Sequence, residues 1–179
     1  AYNMSKYLKL EISKFYEKYT NMYLLENTVF PVFTLKTIGS DDACIFLKGN
    51  RCSIQESKPK TCRLYPFWVY PSENGFVYNY TTERSHHPNS SLVKVKDWMR
   101  DYFRDDEKEA LNAEQLLLPR IAGILNALKP YSISDWEFIL SKMLKYRHFA
   151  YKLTKPFQPQ FETNMKELIE ILNERLKTK

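Results

Sequence analysis

Glycine is scarce in this sequence, with four in 179 residues. A loop that cradles phosphate on backbone amides needs several glycines close together. Neither G-x-x-x-x-G-K-[ST] nor G-x-G-x-x-G occurs, so a nucleotide-binding reading has no support. Uncharged runs are short, and none approaches the ~20 apolar residues of a membrane span, so no membrane association is expected. A charged-then-apolar leader is missing as well. Cysteine is limited to three, an odd number in a chain that is not small. That usage fits a reducing compartment better than a disulfide framework, and cytoplasm is the expected location. The sequons Asn79-Tyr80-Thr81 and Asn89-Ser90-Ser91 are then chance matches. The chain opens on Ala1 and not on Met, as expected of a processed chain or a fragment.

What is present is mostly core material. Hydrophobic residues make up 44%, with 13 Tyr and 11 Phe, enough for one sizeable domain or a compact domain with a helical extension. The formal charge is +6, with a pI near 9.1. Bases and acids interleave, as in "RDDEKEALNAE", and no long basic run appears. Mixed charge of this kind reads as a lysine-rich surface and argues against a nucleic-acid partner.

The residues from Ala1 to Tyr19 carry apolar side chains at three- and four-residue steps. A break near Leu10–Ser13 is expected, with Ser13 as N-cap of a second helix. "VFPVFTLKTI" (29–38) reads as a strand and "GSDD" as a turn. "CIFL" and "RCSI" flank "KGN", a hairpin-type turn that would bring Cys44 and Cys52 to neighbouring positions. "FWVY" and "GFVYNYTTE" on either side of "PSEN" predict an antiparallel hairpin. Beyond "SHHPNSS" the pattern becomes helical. It includes an amphipathic stripe through Trp98 and Met99, a segment holding Pro119 as start or kink, and a closing amphipathic helix. A capping box is expected at Ser134 and Glu137. The predicted fold is α+β. A small antiparallel β/loop cysteine region with N-terminal helices, residues 1–90, precedes a helical C-terminal region, 91–179, packed on it.

All three cysteines, Cys44, Cys52 and Cys62, lie within nineteen consecutive residues, spaced C-x7-C-x9-C. Converging thiolates hold zinc tetrahedrally and also hold iron–sulfur clusters. A turn between Cys44 and Cys52, with Pro59 bending the chain back toward Cys62, could converge three sulfurs, one short of a closed site. The spacing equally suits Cys44 and Cys52 as small buried residues of strands.

"ACIFLKGNRCSIQESKPKTCRLYPF" resembles the signature of the YkgJ-like cysteine-cluster family, which runs C-x-F-L, a short turn, C-x-I-Y, then R-P-x-x-C-R-x-F/Y-P. Cys44, Phe46, Leu47, Cys52, Ile54, Pro59, Cys62, Arg63, Tyr65 and Pro66 fit. Gln55 and Lys58 stand where the family has Tyr and Arg. The resemblance covers roughly residues 1–90 and implies chelation of zinc or iron, an iron–sulfur cluster included, with Cys44, Cys52 and Cys62 as metal ligands. Family members carry an upstream C-x-x-C-C-like cluster that this chain does not show, so the ligand set is expected to be incomplete here. Many also have a cysteine near "TTERSHH". Ser85 occupies that neighbourhood, leaving His86 or His87 as substitute metal ligands. Adjacent histidines point apart, and a polar loop cap before Pro88 is the plain alternative.

Arg63 next to a thiolate could neutralise its charge or form a surface ion pair. His148 reads as a surface or packing residue. Phe67, Trp68, Tyr70, Phe76, Tyr78 and Tyr80 alternate as in a half-buried sheet, which explains them without a stacked base. Three functional classes follow. One is a metal-binding module of unassigned reaction. Another is an iron–sulfur-associated enzyme, which a likeness to flagellin lysine N-methylase implies. The last is a helical protein that binds a protein partner, with the cysteines as a staple.

Overall fold

The computed structural model describes residues 1–80 and 93–178. The fold is α+β. The described residues form seven α-helices and four two-stranded antiparallel ladders. They divide into two compact units, Ala1–Ser57 with Leu117–Lys179, and Lys58–Leu116. The boundary expected near residue 90 lies outside the described residues. No described helix is long and apolar enough to cross a membrane.

The first unit opens with α1 (Tyr2–Tyr7) and α2 (Ile12–Tyr19). The break falls where the spacing placed it, but Glu11 is the N-cap of α2 and Ser13 sits inside the first turn. Ile12, Phe15 and Tyr16 are buried, as one helical face demands. At the other end, Lys36 Nζ donates to the carbonyls of Glu17 (2.8 Å) and Lys18 (3.1 Å). A cation thereby occupies the negative end of the helix. β1 (Thr20–Leu24) and β2 (Pro31–Leu35) pair from Thr20 with Leu35 to Leu24 with Pro31. Two pairs of two-residue strands follow: β3 (Thr37–Ile38) with β4 (Ala43–Cys44), and β5 (Leu47–Lys48) with β6 (Arg51–Cys52). Gly49 takes φ of 56° in the β5–β6 turn, a left-handed conformation favouring glycine.

The second unit holds α3 (Lys60–Leu64), the hairpin β7 (Phe67–Ser72) and β8 (Gly75–Tyr80), α4 (Val95–Tyr102), and the start of α5 (Asp105–Ala127). Leu64, Met99 and Phe103 form its core, with Phe67, Val69 and Phe76 packed against them. α5 is one continuous helix with Pro119 inside it. Pro119 removes one backbone donor without ending the helix.

The rest of the first unit is helical: α6 (Ile133–Leu144), a π-helical turn (Lys145–Phe149) and α7 (Phe157–Lys177). α6 is capped two residues earlier than the sequence suggested. Ser132 Oγ accepts from Asp135 N at 3.1 Å, and Ser132 N donates to Asp135 Oδ2 at 3.1 Å. Asp135 Oδ1 also accepts from Arg175 Nε on α7 at 2.9 Å. These partners hold the Asp135 carboxyl at about 2, below its ordinary 3.8.

The π turn carries His148 inward. Its Nδ1 shares a 3.0 Å hydrogen bond with the Tyr16 hydroxyl, and its ring lies 4.7 Å from that of Phe33. His148 is thus a packing residue. Burial first, then the charge of Arg147, pushes it down from 6.5 to about 3. The unfolded chain takes up this proton near pH 6.5 and the folded chain does not. Stability therefore falls as pH drops from 6.5 toward 3. Urea unfolding across that window should show a shallower pH slope for His148→Phe than for the wild type, and parallel slopes would contradict the burial.

Candidate metal centre

Cys44 and Cys52 are the last residues of β4 and β6. Cys44 lies opposite Thr37, and Cys52 lies opposite Leu47, so the two thiols sit on different ladders. What brings them into one neighbourhood is apolar packing. Met4, Phe15, Phe46 and Ile54 form a buried cluster, and both cysteines are packed against it, half-buried. The Phe46 carbonyl accepts from Ser53 N (2.8 Å) and Ser53 Oγ (2.9 Å), tying the segment after Cys44 to the segment after Cys52. Between β3 and β4, Thr37 Oγ1 donates to Asp42 Oδ1 at 3.1 Å. Gly39 there has φ of 79°, and a Cβ on it would meet Asp41 at 2.8 Å.

Cys62 belongs to the second unit and is exposed, in the middle of α3. Pro59 caps the start of that helix in extended geometry, and Leu64 anchors its end in the core. Next to Cys62, Arg63 is occupied on every side. Its Nη1 donates to Lys58 O (2.6 Å), its Nε to Tyr102 O (3.2 Å), and its Nη2 to Glu107. The pair is mostly buried, with side chains 11% and 15% exposed. Arg63 is in an ion pair with Glu107, but a mostly buried one, where a surface pair was expected. Lys60, also on α3, is pushed below its ordinary value by burial, against the opposing pull of Glu114 and Glu107.

None of the three thiols is in a disulfide, and thiolate donors suit zinc and iron. Among the described residues, however, no three His, Cys, Asp or Glu side chains form a group that could hold a metal ion. The donor chemistry fits, while the described residues do not by themselves close a site. His86, His87 and Ser85 lie outside the described residues. The β7–β8 hairpin turns Phe67, Val69 and Phe76 to the core and leaves Trp68 and Tyr70 about half exposed, at 49% and 52%. A half-buried ribbon accounts for the alternation. Glu107 was not legible as a partner of Arg63, because nothing in the sequence marks two residues 44 positions apart as a pair.

A family model named CxxCxxCC, described as "Putative zinc- or iron-chelating domain", matches residues 2–95, just over half of the chain. The search of curated proteins and that of solved structures each returned no match.

Exposure sets an order of thiol reactivity. In the metal-free chain, iodoacetamide should modify Cys62 before Cys44 and Cys52, followed by peptide mass spectrometry over time. Equal rates at all three would show that the packing of Cys44 and Cys52 does not shield them.

Proposed function

The chain belongs to the CxxCxxCC family, and we propose that it is a zinc- or iron-binding protein in which Cys44, Cys52 and Cys62 serve as thiolate ligands. One observation carries this reading: the family match spans all three cysteines, and none of them is consumed in a disulfide. Half-burial of Cys44 and Cys52 supports it, because a partly dry site strengthens the attraction between thiolates and a cation. Three thiolates leave a tetrahedral metal one donor short, and His86 or His87 is the candidate within this sequence. When bound, the metal would act as a cross-link between thiolates, with an iron–sulfur cluster as the redox-capable variant.

Protein purified without oxygen should contain near-stoichiometric zinc or iron by elemental analysis. Replacing Cys44, Cys52 and Cys62 together by Ser should remove it. Visible absorbance would assign an iron–sulfur cluster, and a colourless zinc protein would set that option aside. Only trace zinc and iron in the wild type would overturn the proposal.

A further inference from the structure

We infer that the outer edge of β1 is a self-association site, at which two copies of the chain pair antiparallel, β1 against β1, about Met22. The inference does not depend on the metal reading and lies wholly within the first unit. β1 and β2 form a ladder that no third strand joins. Two backbone bonds fix which residues face inward: Lys36 N donates to Tyr19 O and Leu25 N to Phe30 O, each at 2.9 Å. Inward and outward residues alternate in an antiparallel ladder. Asn21 and Tyr23 therefore turn their backbone groups to β2, and Thr20, Met22 and Leu24 turn theirs outward. The Thr20 N–H is committed to Tyr16 O. The outward groups of Met22 and Leu24 meet no partner among the described residues.

The two edges of the ribbon differ. On β2 the outward positions include Pro31, which has no N–H to offer, and Phe33, whose ring packs on Tyr16, His148 and Phe149. β1 has no such guard. Its sequence TNMYL holds neither charge nor proline, the usual means of keeping strand edges apart. Met22 and Tyr23 on it, and Leu25 just past it, are exposed.

Charge selects a second copy in antiparallel orientation. Lys18 precedes β1 and Glu26 follows it. Neither is in an ion pair among the described residues. With Met22 opposite Met22 of the second copy, Leu24 comes opposite Thr20, and Tyr23 opposite Asn21. The end of each strand that leads to Glu26 then meets the end that Lys18 precedes, at both ends by symmetry. Parallel pairing would bring like charges together. The backbone groups of Met22 bond across the axis, and the Leu24 N–H reaches the Thr20 carbonyl. A two-stranded ribbon is marginal in water, and this pairing extends it into a sheet continuous across both copies.

Sedimentation velocity of the full chain in reductant, over a range of concentrations, should show a reversible dimer. Met22→Lys places like charges on the axis and should abolish that dimer while leaving the circular dichroism of the chain unchanged. Lys18→Glu and Glu26→Lys should each weaken dimerisation roughly tenfold or more, and the two together should restore it. Both residues are exposed, so the charge variants keep the test readable even if Met22→Lys fails to fold. A wild type that stays monomeric at the highest concentration would overturn the inference, and so would a dimer indifferent to Met22→Lys. Single charge variants that weaken the dimer, with no recovery in the double variant, would overturn it too, because Lys18 and Glu26 would then not meet across copies.

Discussion

Each cysteine is followed, two residues on, by an apolar side chain removed from water: Phe46 after Cys44, Ile54 after Cys52, and Leu64 after Cys62. That repeated pairing is the constraint on which the cysteine segment depends. Two-residue ladders cannot support themselves, and the turns between them are polar. Burial of Phe46 and Ile54 against Met4 and Phe15 gives the segment its shape, each side chain contributing about 1.5–3 kcal/mol. The same offset has different consequences in different backbone. Cys44 and Cys52 each end a strand, Phe46 and Ile54 lie in the turns that follow, and both cysteines pack half-buried against the cluster those anchors join. In a helix, residues two apart are rotated by about 200°. Burying Leu64 on α3 therefore turns Cys62 outward.

Ionic ties add to this apolar anchoring, and two shielded ones among the described residues join segments distant in sequence. Arg63 with Glu107 holds α3 to the start of α5. Arg175 with Asp135 joins the end of α7 to the cap of α6. Neither resembles the exposed i,i+3 pairs such as Lys14 with Glu17, which are worth little. Breaking a shielded pair by removing one partner leaves the other charge poorly solvated, which makes these ties specific in a way that surface pairs are not. Each carboxylate also caps a helix: Asp135 closes the box with Ser132, and Glu107 accepts from Arg104 N. One side chain thus sets both a helix start and a long-range contact.

The β7–β8 hairpin was readable because "PSEN" and the alternation on either side obey local rules, and its register runs from Phe67 with Tyr80 to Ser72 with Gly75. The helices α2, α4 and α7 were readable from their period. The α6 cap was misjudged because Ser134 with Glu137 and Ser132 with Asp135 both satisfy the pattern. The box at Ser132 is the one whose carboxylate also pairs with Arg175, forty residues away. Tyr16 with His148 was invisible for the same reason, as the two are 132 positions apart. The cysteine spacing and its family likeness pointed to the segment, but not to the different settings of its thiols. Those settings follow from whether each cysteine ends a strand or sits inside a helix, and the short ladders carry too little periodicity to reveal that.

The anchors also bear on what a metal would do. A zinc finger is unfolded without its metal because it has almost no core of its own, so binding energy is spent on folding. Here Phe46 and Ile54 already belong to a cluster with two helices, and the hairpin turn is set by Gly49. The backbone that carries Cys44 and Cys52 is thus held by apolar burial, without need of a cation. Cys62 has a different setting, exposed on a helix of five residues whose end is anchored by buried Leu64.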